Sequence, residues 1–337
     1  MKNHLLFPLL IVLLFISCTD TIDFDDEGYA NLLTVNSFIW SNAGFSANTY
    51  NTSSILMDRQ AAQVADGTMD LYENGTLLKH LSSTGGLFWA PEITPKAGQH
   101  YRMVVSSNGR QVEAETTIPA KVEVMSIDTS SNSGGFGART IHFKIRIKDT
   151  PGEDYYRIVV TNENMVQVSD QNEAKTRRYF VSSNQSPLNS EDPVFKSVYN
   201  NLGDDLLDMG PQNSYYIFPD DYFKDQEYSV HLDASNNLYY FGGYGNNKVI
   251  YDHYIVHVQR LSKDLYAYLK YLKLYENYRE NPFAEPVAVY SNVKNGTGIF
   301  AGFNDDARYS FEAVYIPYSM DTIKVETGGS GGYSNGY

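Results

Sequence analysis

His253 and His257 stand four residues apart, a spacing that on a helix would turn both imidazoles toward one zinc ion. Their surroundings are those of a strand instead. Val249, Tyr251, His253, Ile255 and His257 alternate with Ile250, Tyr254, Val256 and Val258, a period of two. Four strand residues at about 3.3 Å each put the rings roughly 13 Å apart. They share a face but cannot share a metal without ligands from elsewhere, so no metal site is predicted. Nucleophiles are as scarce. No serine sits in a Gly-x-Ser-x-Gly elbow, and the single cysteine, Cys18, excludes a disulfide framework, a cysteine-based metal site and a cysteine nucleophile in the body. Gly296-Thr297-Gly298 with Gly302 has the wrong spacing for a phosphate loop, and no Lys-Ser/Thr follows it. Asp204-Asp205 with Asp208, Asp220-Asp221 and Asp305-Asp306 could offer oxygen to calcium, but none has the loop pattern of a calcium hand. A hydrolase would need His231, His253 or His257 beside a carboxylate and a serine in one cleft. No catalytic residue and no cofactor is predicted.

What remains is contact chemistry. Tyr239, Tyr240, Phe241 and Tyr244 crowd one Gly-rich segment and are the best candidates for touching a ligand or partner, because tyrosine offers a large amphipathic area with few rotors. The alternative is that the segment folds over its own core. Trp40 and Trp89 are too few for a carbohydrate platform and fit a core equally well.

The start of the chain has a chemistry of its own. Met1-Lys2-Asn3-His4 leads into the apolar run Leu5–Ile16, too short for a bilayer-spanning helix of roughly 20 residues. Residues 1–17 read as a signal peptide. Phe15-Ile16-Ser17-Cys18 resembles a bacterial lipobox, in which the cysteine is lipidated and becomes the new N-terminus. Acyl chains, each CH₂ contributing about 0.8 kcal/mol on burial, would hold the protein at a membrane. Residues 18–29, with Asp20, Asp23, Asp25, Asp26 and Glu27, form an acidic tether. With 26 Lys plus Arg against 40 Asp plus Glu, the net charge of −14 repels phosphate backbones and argues against nucleic-acid binding.

The elements expected to carry these groups are strands, which the 28 tyrosines favour. Asn74-Gly75 and Asn108-Gly109 each join alternating runs, the strongest short hairpin signal. Ile141, Phe143, Ile145 and Ile147 alternate with His142, Lys144, Arg146 and Lys148, one face core and the other wet. Asn184–Gln212 lacks a period and reads as a surface loop. Short strands are expected at Val287–Tyr290, Thr297–Phe303 and Tyr309–Tyr315. One helix is predicted over 263–279, capped by Ser262, with Leu265, Tyr268 or Leu269, Leu272 and Tyr275 or Glu276 inward. The fold class is therefore all-β. An immunoglobulin-like β-sandwich over 30–120 precedes a larger β-rich sandwich or barrel-like domain over 121–325 with one packed helix, and 326–337 is a disordered Gly/Ser/Tyr tail.

Asn281-Pro282-Phe283-Ala284-Glu285-Pro286-Val287-Ala288-Val289-Tyr290-Ser291-Asn292-Val293, followed by Asn295-Gly296-Thr297-Gly298-Ile299-Phe300-Ala301-Gly302, resembles Bacteroidota lipoproteins of domain-of-unknown-function family 4249. So do the lipidated start, Tyr72-Glu73-Asn74-Gly75, Pro95-Lys96-Ala97-Gly98, Pro151-Gly152-Glu153-Asp154-Tyr155-Tyr156-Arg157 and the helix with Tyr271. The likeness covers essentially the whole chain after the leader, except the tail beyond Val325. The acidic tether resembles the surface-export signal of such lipoproteins. Members tend to be encoded beside TonB-dependent outer-membrane receptors. The resemblance thus implies an outer-membrane lipoprotein, anchored through Cys18 and facing the exterior, that assists such a receptor in nutrient uptake without catalysis. It identifies no ligand and carries over no catalytic residue. The alternative is a structural or assembly factor of the cell envelope whose sandwiches dock other proteins.

Overall fold

A computed structural model describes residues 32–41, 43–53, 62–64, 66–133, 139–169, 176–199, 211–236, 249–279 and 287–315. Cys18 and Tyr239, Tyr240, Phe241 and Tyr244 lie outside the described residues. Strands of the first part are β1 (Leu33–Trp40), β2 (Phe45–Asn51), β3 (Ala62–Gln63), β4 (Thr68–Glu73), β5 (Thr76–Ser82), β6 (Leu87–Ala90), β7 (His100–Ser107) and β8 (Arg110–Thr117). Then follow β9 (Glu123–Ser133), β10 (Arg139–Lys148), β11 (Tyr155–Ser169), β12 (Thr176–Gln185) and β13 (Leu188–Asn189). A short helix α1 (Pro193–Lys196) precedes β14 (Ile217–Pro219), β15 (Glu227–Asn236) and β16 (Val249–Leu261). Helix α2 (Lys263–Tyr278) and the long β17 (Thr297–Tyr315) complete the order.

The hairpins form where asparagine and glycine supply left-handed backbone. Asn74 and Gly75 have φ of 49° and 80° between β4 and β5, and Asn108 and Gly109 have 50° and 74° between β7 and β8. These strands make one four-stranded sheet, β5-β4-β7-β8. The alternation of Ile141–Ile147 becomes β10, its isoleucines and Phe143 buried, at the centre of a second four-stranded sheet, β13-β15-β10-β9.

Both small sheets pack on one nine-stranded sheet whose main path is β12-β11-β16-β17-β1-β2-β3. The first core gathers buried residues from Leu33 to Ile118 together with Val293 and Phe300; the second runs from Val122 to Phe303. The two sandwiches therefore share a sheet. Its hinge is the parallel pairing of β1 with β17, Val35 opposite Gly298 and Ile39 opposite Gly302. Successive residues of β17 point to opposite faces, so Phe300 enters the first core while Ile299, Ala301 and Phe303 join the cluster that holds the α2 leucines. Helix α2 covers that other face. Tyr266 stacks on Tyr155, and Tyr268 meets Phe38.

Ser262 caps α2 by accepting from Leu265 N–H, as its sequence suggests. Its buried residues are Leu265, Leu269 and Leu274; Leu272, expected inward, is only half-buried, and Tyr275 and Glu276, the alternatives for the next inward position, are both exposed. Other elements correct the sequence reading. The stretch expected as a loop over 184–212 instead finishes β12 and forms β13 and α1, with Val194, Phe195, Val198 and Tyr199 buried; 200–210 lie outside the described residues. Its Asp-Pro pair, which reads as loop chemistry, is a helix start, since Asp192 caps α1 ahead of Pro193. Val287–Tyr290 is not a strand, and the two short strands expected after it are one continuous β17. Trp89 stands 59% exposed on β6.

Candidate functional site

Asn292 and three glycines explain what the long motif near residue 300 does. Asn292 donates from Nδ2 to the carbonyls of Glu115 (3.1 Å) and Phe300 (2.8 Å) and accepts from Phe300 N–H at 2.9 Å. It thereby ties β8 to β17. A Cβ on Gly296 would lie 2.3 Å from the Leu33 carbonyl oxygen, and one on Gly298, at φ +112°, would lie 2.2 Å from that of Val35. Gly302 donates its N–H to Thr116 Oγ1 at 3.1 Å and accepts from Ser262 N–H at 2.8 Å. These glycines let β17 approach β1 and β8 closely. The motif joins the sandwiches and leaves no open phosphate cradle.

The Asp149–Arg157 segment is likewise consumed by structure. Arg260 forms a two-pronged pair with Asp154, donating from Nε to Oδ1 at 2.8 Å, and reaches Thr150 Oγ1 at 2.7 Å. Asp154 N–H donates to Asp220 Oδ2 at 3.2 Å, and Tyr156 donates its hydroxyl to Asp149 at 2.5 Å. Burial pushes the Asp220 carboxyl above the usual carboxylate range. It also raises the Tyr156 phenol, which keeps the proton that it gives to Asp149. Arg260 stays because its partner is fixed, and the network anchors β11 to β16.

The histidines are separate. His253 meets Glu163 at 3.3 Å, His257 meets Asp305 at 2.9 Å, and His231 stands 3.6 Å from Asp192. Ser190 donates to the His231 carbonyl, not to its ring. No group of three or more His, Cys, Asp or Glu side chains able to hold a metal ion occurs among the described residues. Asp220, offered by sequence as a calcium ligand, is engaged as above. Asp204, Asp205 and Asp208 lie outside the described residues.

Two faces remain open to solvent. On the outer side of β9, β10 and β15 a shallow depression of about 380 Å³ is lined by Asp128, Ser130, His142, Lys144, His231 and Asp233. The strand register sets Lys144 between Asp128 and His231, and His142 between Ser130 and Asp233. His142 is saturated, with Asp233 at 2.6 Å from Nδ1 and Asn132 at 3.0 Å from Nε2, so neither ring nitrogen is left to take a proton from a substrate. The arrangement suits polar contact rather than proton transfer. The second face is aromatic. Tyr271 and Tyr275, one helical turn apart on α2, are 43% and 41% exposed. Tyr215 and Tyr290 brace the helix beneath, donating hydroxyls to Glu276 at 2.8 Å and Asp264 at 2.6 Å. The i, i+4 tyrosines carry the sequence signal for this face, but helical spacing alone points Tyr275 or Glu276 inward where the structure buries Leu274.

Comparison with known proteins adds a family and little else. The family described as "Domain of unknown function (DUF4249)" matches residues 19–308. No curated protein matches this sequence. Among solved structures, the apo structure of Bacteroides uniformis beta-glucuronidase 3 aligns at 6% identity and a TM-score of 0.19, over 68% of this chain and 23% of that one. The BSP domain of a biofilm-associated protein aligns at 8% identity and a TM-score of 0.17, over 87% of this chain and 61% of that one. This chain thus spans under a quarter of the glucuronidase, and likenesses at such scores carry no argument.

Proposed function

The chain belongs to the DUF4249 family, and on that footing we propose that it is an outer-membrane lipoprotein, facing the cell exterior, that serves a TonB-dependent receptor as a non-enzymatic partner in nutrient uptake. The observation that carries the anchor is the position of the only cysteine, Cys18, directly after an apolar leader. The acidic tether behind it lifts the body from the bilayer. The exposed α2 tyrosines support a docking role. Rigid aromatic side chains on a packed helix bury much area at little entropic cost, and such residues are enriched where proteins meet.

Two experiments test this. A Cys18→Ser variant should leave the membrane fraction, and the native protein should carry fatty acid; a variant that stays bound as tightly, with no acyl group on the native protein, refutes the anchor. Affinity purification from solubilised outer membrane should recover a receptor. Recovery of none, under conditions that retain other lipoprotein pairs, refutes the partnership. Deletion should slow growth on particular nutrients only, whereas an envelope assembly factor would show broad permeability or shape defects.

A further inference from the structure

The second small sheet ends on one side in β9, and among the described residues no backbone group pairs with the outer edge of that strand. From Ser126, opposite Arg146, to Ser133, opposite Arg139, its register with β10 runs unbroken. In an antiparallel ladder alternate residues turn both N–H and C=O away from their partner, so this edge presents a donor and an acceptor together about every 7 Å. Folded proteins guard such edges with short strands, lysine, proline, bulges or a covering segment. The other outer strands follow that rule. β3, β6, β13 and β14 have at most four residues each, and β5 combines a register shift with Lys79 paired to Glu92. β8 is covered by Lys294 N–H on the Glu113 carbonyl at 2.7 Å and Asn292 Nδ2 on that of Glu115 at 3.1 Å, and β12 carries Arg177 and Arg178. Ser126–Ser133 holds no lysine, arginine or proline, and the register shift of β9 falls before it, opposite Arg146 and Ile147. The side chains are open as well. Ile145 and Phe143 on β10 are buried, whereas Ile127 and Thr129 opposite them are only half-buried, which leaves the core uncovered along this edge. On the outer side Asp128 is the only charge; among the described residues it has no ion pair and accepts only from Ser126 Oγ, at 3.5 Å.

From this arrangement we propose that β9 is a docking edge for an extended segment of another polypeptide, which adds to the four-stranded sheet as an antiparallel strand beside Ser126–Ser133. Three features select that occupant. Main-chain donors and acceptors repeating at strand spacing are matched by another strand and by no compact ligand. The half-open core side asks for β-branched or other apolar residues to cover Ile127 and Thr129, alternating with polar ones that continue the wet face of Asp128, Ser130 and Asn132. Charge supplies the third. Asp128 without a cation favours a lysine or arginine beside it, and the net charge of −14 disfavours a second copy of this chain, which would bring its own negative charge to the edge. This edge belongs to β9 and not to α2, so the inference stands whether or not a receptor docks on that helix.

The test uses the full mature chain and short synthetic peptides, acetylated and amidated. One alternates valine and threonine around a central lysine, a second has glutamate in place of that lysine, and a third is the lysine peptide N-methylated at successive residues, so that neither of its edges keeps its donors. Amide hydrogen exchange followed by NMR reads the edge. In the free protein alternate amides of Ser126–Ser133 should exchange about tenfold or more faster than those of Ile141–Ile147 on the central β10, and saturating lysine peptide should slow them about tenfold or more. The glutamate peptide should bind about fivefold more weakly, as expected for a cross-strand charge pair turned repulsive, and the N-methylated peptide not at all. Asp128→Lys, at an exposed position, should make the glutamate peptide the tighter binder; should that variant fail to fold, Asp128→Asn should bring the two to equal affinity. Amides along this edge already slow in the free protein mean that a second copy or another part of the chain closes it, and overturn the proposal. No binding of the lysine peptide, equal binding of the N-methylated one, or a preference that the Asp128 variants leave unmoved overturns it as well.

Discussion

Replacing Gly298 by alanine tests whether the shared sheet holds the molecule together. The new Cβ would sit 2.2 Å from the Val35 carbonyl oxygen and 2.9 Å from Asn36 Oδ1, on a backbone at φ +112° that side chains rarely adopt. Ordinary van der Waals contact begins at about 3.4 Å, so β1 and β17 must part by roughly 1 Å near the start of their ladder. Strain at such a φ costs about 1–3 kcal/mol, and overpacking adds about 1–3 more. Together these remove roughly 3–5 kcal/mol from a total stability of about 5–15. The matched control is Gly109→Ala, at φ +74° with nothing within 4 Å, where only conformational strain of about 1 kcal/mol applies. At roughly 2 °C per kcal/mol for a chain this long, Gly298→Ala should melt on the order of 6–10 °C lower, and the control about 2 °C lower. Tryptophan fluorescence can follow the junction directly, because Trp40 stacks on Phe303 at 5.1 Å beside it. Equal losses in the two variants, measured by thermal and urea unfolding, would refute the close-approach reasoning.

Arg260→Met should destabilise by about 3–5 kcal/mol in urea unfolding, because it strands the Asp154 carboxylate without its cation; adding Asp154→Leu should recover much of that loss. Burial raises the Asp220 carboxyl, so the folded protein holds that proton more tightly than the unfolded chain; the stability it contributes is full below the unfolded carboxylate range and is lost as pH rises through the raised folded value. Asp220→Asn keeps an acceptor for Asp154 N–H and escapes that loss, so its advantage over wild type should be absent near pH 3 or so and grow toward neutrality; an advantage that grows on acidification would refute this. Tyr271→Ala/Tyr275→Ala should change stability by less than about 1 kcal/mol yet reduce recovery of the proposed receptor in affinity purification.

Features written in local chemistry were legible in the sequence. Asn-Gly turns, the alternation along β10 and the Ser262 cap each depend on a few adjacent residues, and each is found in the structure. Features set by distant partners were not. Thr297–Tyr315 reads as two strands because apolar spacing lapses at Asn304-Asp305-Asp306, yet the backbone ladder with β16 continues past it. Its parallel pairing with β1 joins residues more than 250 positions apart and leaves no periodic trace. Burial of Val194, Phe195, Val198 and Tyr199 is not legible because a four-residue helix is too short to show a period. Of the candidate contact residues, the Tyr239–Tyr244 segment and Cys18 lie outside the described residues, and the exposed α2 tyrosines were hidden by a small error in helix phase. The carboxamide oxygens of Asn162 and Asn164 on β11, buried with no hydrogen-bond partner among the described residues, could not be read at all, since nothing in either residue announces such burial.

The division of labour between motif and surface constrains where specificity can reside. Asn292, Gly296, Gly298 and Gly302 are bound into backbone contacts on both sides, so changing them alters the fold before it alters any ligand. Tyr271, Tyr275 and Tyr222 touch water, and exchanging them costs the fold little. A protein built this way can keep its joined sandwiches while the residues on its α2 face change, since function is grafted onto folds at sites that packing leaves free.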